Sequence, residues 1–231
     1  MSVSIPQGPA FSVDVAGADK KSLSDARVSS SFWRGALPAT QDYIITVASY
    51  AAAPFTLRVV INPPGQATQN FGFSDKKYLV ALSYTDDFAP TQAEPPADLK
   101  GTPLLTLSFI EPSFYSPTTN LSEAYLMLTA TQDPAIVSTC IQPAANRAET
   151  VTGQVTIYNY TFTRAEFTGV AAGNLYDQIS YRTVVESKCF EVIFLFHSGN
   201  IGNYSPGTRV EFDRAALLSK FEAVLATFLA K

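Results

Sequence analysis

Apolar and polar positions alternate with a period of two through much of the chain, and that pattern predicts strands. Two β-branched and aromatic runs, Tyr43-Ile-Ile-Thr-Val47 and Phe55-Thr-Leu-Arg-Val-Val-Ile61, bound a seven-residue connection, Ala48 to Pro54, that reads as a hairpin turn. In the second run Phe55, Leu57, Val59 and Ile61 share one face, so a half-buried strand is expected. The segment Asn62-Pro-Pro-Gly-Gln-Ala-Thr-Gln-Asn70 has paired prolines, a glycine and small polar residues and is expected to be a linker. Beyond it, strands are predicted at 78–84, 104–110, 123–130, 154–162, 165–170, 176–185 and 189–197. Residues 87–103 hold four prolines and read as a surface loop.

Two helices complete the pattern. Asp133-Pro134 supplies an N-cap followed by a proline at the first helical position, which predicts a short helix to about Cys140. From Asp213 onward, Leu217, Leu218, Phe221, Val224, Leu225 and Phe228 recur with helical spacing and form one apolar stripe. A long helix is therefore expected to close the chain and lie across a sheet. The fold class is α+β and β-rich: a small N-terminal β unit (1–64), then an antiparallel sheet packed against a C-terminal helix (71–231).

Composition agrees with this picture and removes several functions. The 231 residues are 46% hydrophobic and only 16% charged, with 16 Phe, 11 Tyr and one Trp. The net charge is −4 and no basic cluster occurs, so nucleic acid is not an expected partner. The longest apolar run, Val192 to Phe196, is far short of a transmembrane segment. The start, Met1-Ser-Val-Ser-Ile-Pro6, lacks the basic and apolar regions of a signal peptide, so export implies a targeting segment already removed. Two cysteines, Cys140 and Cys189, and one histidine cannot supply the four ligands of a zinc site. The cysteines read either as a disulfide, worth roughly 4 kcal/mol for a loop of this length, or as two buried thiols. The composition looks secreted, and the disulfide is the preferred expectation.

The residues 32–61 carry a resemblance. Phe32-Trp-Arg-Gly-Ala-Leu-Pro-Ala-Thr-Gln-Asp-Tyr-Ile-Ile45 followed by Phe55-Thr-Leu-Arg-Val59 resembles the second half of bacterial pre-peptidase C-terminal-type β-sandwich domains. That resemblance implies a secreted or surface-exposed module and adhesion in place of catalysis. The combination of antiparallel strands, a chain-ending helix and the closing Phe221-Glu-Ala-Val-Leu-Ala-Thr-Phe228 is loosely similar to the PsbP-like fold, which recurs in bacterial lipoproteins of unknown role.

Candidate chemistry is sparse. If Glu186-Ser-Lys188 forms the last hairpin turn, Val185 faces Cys189, Thr183 faces Glu191 and Asp177 faces His197. A carboxylate opposite an imidazole fixes its tautomer, and Ser198 follows directly. A triad is nevertheless disfavoured, because adjacent strand residues diverge and no G-x-S-x-G elbow is present. The loop Ser198-Gly-Asn-Ile-Gly-Asn-Tyr-Ser-Pro-Gly207 offers Asn200, Asn203 and Tyr204 as binding residues, although it lacks a P-loop ending. Asp75, Asp86 and Asp87 lack the spacing of a calcium loop. Asn120, Asn159 and Asn203 each begin an N-glycosylation sequon. No cofactor or metal is expected.

The expected function is a non-catalytic binding or scaffolding module of a secreted or cell-surface bacterial protein. Its expected partner is a cell-envelope glycan or another surface protein. The alternatives are a hydrolase built on the Asp177–His197 face and a subunit of an extracellular assembly using strand edges near residues 43–61.

Overall fold

The computed structural model describes residues 2–4, 11–23, 32–34, 37, 39–49, 52, 54–60, 70–93, 95–96, 99–115, 119–144 and 148–231. Five short strands come first: β1 (Ser2–Ser4), β2 (Phe11–Gly17), β3 (Phe32–Arg34), β4 (Tyr43–Ser49) and β5 (Arg58–Val60). The expected hairpin between 43–47 and 55–61 does not form. β4 instead pairs antiparallel with β2, and β5 pairs with β1. Alternation at Val13 and Val15 in β2 supplies a matching apolar face for Tyr43, Ile45 and Val47, and these pack with Val3 in a small core. Phe55, Leu57 and Val59 are 47%, 38% and 41% exposed, so this run is not the half-buried strand its period suggested. The linker expected at 62–70 lies outside the described residues, except for Asn70.

Next come β6 (Asn70–Asp75), β7 (Val80–Thr85), β8 (Phe88–Pro90), β9 (Thr102–Phe109) and β10 (Leu121–Thr131). The proline-rich stretch expected to be all loop thus contains an edge strand, anchored by buried Phe88. Helix α1 (Pro134–Ser138) starts where Asp133 accepts the Ala135 N–H at 2.9 Å. It is followed by β11 (Thr150–Ile157), β12 (Tyr160–Ala171), β13 (Asn174–Val185) and β14 (Lys188–Gly199). The strand expected at 154–162 is really two strands. A turn at Tyr158-Asn159 splits it, with Tyr158 at φ 51°. Asn159 is the turn-favouring residue there, set between β-branched and aromatic strand formers on both sides. The strand expected at 165–170 is the second half of β12.

Helix α2 (Arg214–Leu225) begins at Asp213, which accepts the Ala216 N–H at 2.9 Å. It has 12 residues and does not end the chain, in contrast to the long terminal helix expected. Thr227 stops it by hydrogen bonding to both the N–H and the C=O of Ser83. The chain then finishes in β15 (Leu229–Ala230), which pairs with β7.

The main sheet is antiparallel and seven-stranded, in the order β11-β12-β13-β14-β10-β9-β8, while β15-β7-β6 forms a three-stranded sheet. Phe190, Val192, Phe194 and Phe196 of β14 present the fully apolar face that the sequence predicted, and Leu217, Phe221, Val224 and Leu225 of α2 are buried in the same core. Two aromatic hubs organise it. Phe221 lies 5.1–5.8 Å from the rings of Phe88, Phe109, Phe194 and Phe196. Phe228, just past the helix, meets Tyr160, Phe162 and Phe190 edge-on at 5.1–5.5 Å. Burying each such ring contributes about 2–3 kcal/mol, with some edge-to-face attraction besides.

Candidate functional site

The β13–β14 turn decides which chemistry meets which. Glu186 and Ser187 both take positive φ, 47° and 59°, and make a two-residue turn closed by Val185 and Lys188. A turn of three residues was expected; losing one shifts the register, and a one-residue slip exchanges faces. Asp177 therefore lies opposite Phe196, and His197 lies opposite Tyr176. The structure does not bring Asp177 and His197 together. Asp177 accepts from Thr168 Oγ1 at 2.7 Å and from Arg214 Nε at 3.2 Å on the α2 side of the sheet.

His197 belongs to the other face. Its ring stacks on Tyr176 with centroids 4.5 Å apart and planes 11° off parallel. Nε2 is enclosed and has no hydrogen-bond partner among the described residues. Across β10 the neighbour is exposed Glu123. On the far side, Gly169 pairs with Tyr176, and Phe167 leans into the space a side chain would take: a Cβ on Gly169 would sit 3.1 Å from Phe167 Cε1. Phe167, Tyr176 and His197, all half-buried, thus form a strip of rings across β12, β13 and β14. Such a strip needs Gly169, and a lone glycine in a Thr-Val context did not signal it.

Further along this face lies an ionic cluster that sequence reasoning missed. Arg182 opposes Glu191 in the ladder, and its Nε donates to Glu191 Oε1 at 2.7 Å. Its Nη2 donates to Glu149 Oε1 at 2.8 Å. All three side chains are no more than 1% exposed. Two carboxylates against one guanidinium leave a surplus negative charge in a dry site. Backbone donors meet it: Ala144 N–H on Glu149 and Lys100 N–H on Glu191, both at 2.9 Å. Burial pulls the Arg182 pKa down, but the two carboxylates outweigh it and hold the guanidinium above its ordinary value. The Cys140–Cys189 disulfide closes the same region, tying the segment after α1 to β14. The signal available in the sequence was Glu191, one acid inside an otherwise apolar run.

The remaining candidates are engaged locally. Asn200 accepts the Gly202 N–H at 2.9 Å as the cap of a short 3-10 turn, and Asn203 Nδ2 donates to Gly173 C=O at 2.9 Å. Tyr204 covers Gly199, where any Cβ would overlap its hydroxyl, and carries Arg209 over its ring at 5.0 Å. The loop is thus docked on the β12–β13 turn. Of the sequon asparagines, Asn120 is 3% exposed and bonded to Gly199 C=O, whereas Asn159 stands exposed at a hairpin tip. Asp75 caps its own turn at Tyr78 N–H, and Asp87 receives Lys220 at 2.9 Å. Among the described residues no group of three or more His, Cys, Asp or Glu could hold a metal, and no helix is long and apolar enough to cross a membrane.

The chain matches no protein-family model and no curated protein. Among the solved structures similar to part of it are two at low identity. One, from Bacteroides thetaiotaomicron VPI-5482, is 15% identical with a TM-score of 0.41, covering 69% of this chain and 48% of that one. The other is LpqN, described as involved in cell envelope biogenesis of Mycobacterium tuberculosis, at 10% identity and a TM-score of 0.38, covering 71% of this chain and 91% of that one. The chain therefore spans about half the length of the first. Both are likenesses of part of the fold, and no function passes from them to this chain.

Proposed function

We propose that this chain is a non-catalytic binding module of a secreted or cell-surface bacterial protein, and that its ligand is a cell-envelope glycan. The observation that carries the reading is the strip of rings formed by Phe167, Tyr176 and His197 on the sheet face away from α2. Ring faces backed by a rigid ladder suit the apolar faces of sugars, and exposed Glu123 beside them supplies a hydrogen-bond acceptor. The disulfide supports the compartment, since such bonds persist in oxidising surroundings. The division into an N-terminal β unit at 1–64 and an α+β unit at 71–231, with the two resemblances attached to them, belongs to the same proposal.

A hydrolase on the Asp177–His197 face loses its support from the register, because the carboxylate and imidazole occupy opposite faces. The test is retention of the purified chain on peptidoglycan and insoluble polysaccharides. Saturable retention that falls in Tyr176→Ala, with no soluble sugar released, supports the reading. Retention indifferent to Tyr176→Ala, or release of sugar that stops in His197→Ala, overturns it.

A further inference from the structure

The two edges of the seven-stranded sheet are finished differently. At one edge β8 is three residues long and ends in Pro90. That is a blunted edge, too short and too proline-bound to template another strand. At the other edge β11 runs for eight residues, seven of them exposed, with Val151 and Val155 among the exposed apolar side chains. No charged residue and no proline occurs from Thr150 to Thr163. Its irregularity, the bulge between Val151 and Gly153, lies at the start and leaves Gly153–Ile157 in regular register with β12.

The hairpin fixes which backbone groups point off this edge. A two-residue turn makes Ile157 and Tyr160 the closing pair, bonded to each other. Antiparallel alternation then directs the N–H and C=O of Gln154 and Thr156 outward. A second strand can satisfy all four groups only if its own outward residues stand opposite them. β11 meets that condition against itself: with a two-fold axis through Val155, Gln154 of one copy faces Thr156 of the other, twice, and Val155 faces Val155. The faces also match, since Gln154 and Thr156 lie on one side of the sheet and Val155 on the other. A charged strand would meet its own like charges in such a pairing; this one is neutral throughout.

We propose that two copies of this chain join through antiparallel pairing of β11 about Val155, making one continuous fourteen-stranded sheet (two sheets of seven). The occupant is a second copy because the edge is complementary to itself in register, in outward hydrogen-bonding groups and in charge. This surface is separate from the strip of rings, so the two readings fail independently.

The test is sedimentation of the full chain over a range of concentrations, with two double variants. Q154E/T156E places like charges opposite each other and is expected to weaken the dimer at least about tenfold. Q154K/T156E places opposite charges there and is expected to keep it. A second measurement does not depend on those variants folding: V155C, oxidised, gives a covalent dimer, while V170C, at a position 71% exposed on β12, does not. A wild-type monomer at every concentration overturns the proposal. So does a dimer indifferent to Q154E/T156E, equal loss in both double variants, or failure of V155C to cross-link.

Discussion

The two faces of the main sheet each carry an arginine–carboxylate network, yet the networks are built for opposite conditions. On the face away from α2, Arg182, Glu149 and Glu191 are sealed from water. On the α2 face, Arg214 bridges Asp177 at 3.2 Å and Glu166 at 3.6 Å with side chains 21–43% exposed, and Arg164 binds Glu166, Thr152 and the Tyr181 hydroxyl. The sealed network is held by the fold, since its hydrogen-bonding capacity is met by backbone donors from two loops. The open one stays within reach of solvent, which competes with its partners. Similar residues thus act as a structural lock in one place and as a solvated rim in the other, and the difference is burial.

Arg182→Ala breaks that contrast most sharply. Removing the cation strands two buried carboxylates, and a loss of about 3–5 kcal/mol is expected. Chemical unfolding midpoints measure it. The sharper version replaces all three charges, with Arg182→Met, Glu149→Gln and Glu191→Gln together. That variant is expected to be markedly more stable than Arg182→Ala alone. Equal destabilisation would mean the charges themselves, and not their pairing, hold the loops.

The disulfide closes the same lock from the other side. Cys140→Ser with Cys189→Ser is expected to cost about 2–5 kcal/mol, seen as a lower thermal midpoint. Intact mass should rise by two hydrogen atoms when a dithiol reductant opens the disulfide of the wild type. Both the bond and Arg182 hold the segment after α1, which supplies Gln142 C=O and Ala144 N–H to the cluster. Their losses should therefore be less than additive in a double-mutant cycle. Strict additivity would show that the two devices act on separate parts of the fold.

Tyr181 links the open network to the core, because its ring is fully buried and its hydroxyl donates to Glu222 at 2.9 Å. Burial, with the Glu222 carboxylate adding to it, pushes the hydroxyl up to about 12 against the opposing pull of Arg164. The unfolded chain ionises this group near 10, so between pH 10 and 12 the folded state holds the proton longer. Stability from this group is complete below pH 10 and is lost as pH rises through 12. A fall of roughly 2 kcal/mol is expected across that window, and Tyr181→Phe should flatten the slope of unfolding free energy against pH. Burial raises Tyr115 in the same direction, so some alkaline slope persists in the variant.

What could be read ahead of the structure follows from how local each signal is. The apolar face of β14 and the Asp133-Pro134 helix start are written in single segments and appear as expected; the Asp213 stripe gives the start and buried face of α2, but the helix stops at Leu225 and leaves Phe228 past its end. The β13–β14 register failed by one residue because it depends on how many residues the turn takes, and Glu186-Ser-Lys188 contains no glycine or asparagine to say so. At Tyr158-Asn159 a turn residue is present, but one asparagine among β-branched and aromatic neighbours does not outweigh the strand pattern on either side of it. The Arg182 cluster draws on positions 100, 144, 149, 182 and 191, which no periodicity connects. The strand partners of β4 and β5 also lie across the chain, so the run of 43–61 looked like its own hairpin.

The smallest effect belongs to the open network and completes the contrast. Arg214→Ala removes contacts to Asp177 and Glu166, both of which remain in reach of water and of other donors, Thr168 and Arg164. Exposed pairs of this kind contribute about 0–1 kcal/mol, and salt screens them. The expected loss is therefore under about 1 kcal/mol, shrinking further as salt is raised, with unfolding midpoints at low and high ionic strength as the measurement. The Arg182→Ala loss should persist in salt, because ions do not enter a site whose side chains are 1% exposed or less. If the Arg214→Ala loss matched that of Arg182→Ala and ignored salt, burial would not be what separates the networks. Asp177 would then be the anchor that seats the start of α2 on the sheet.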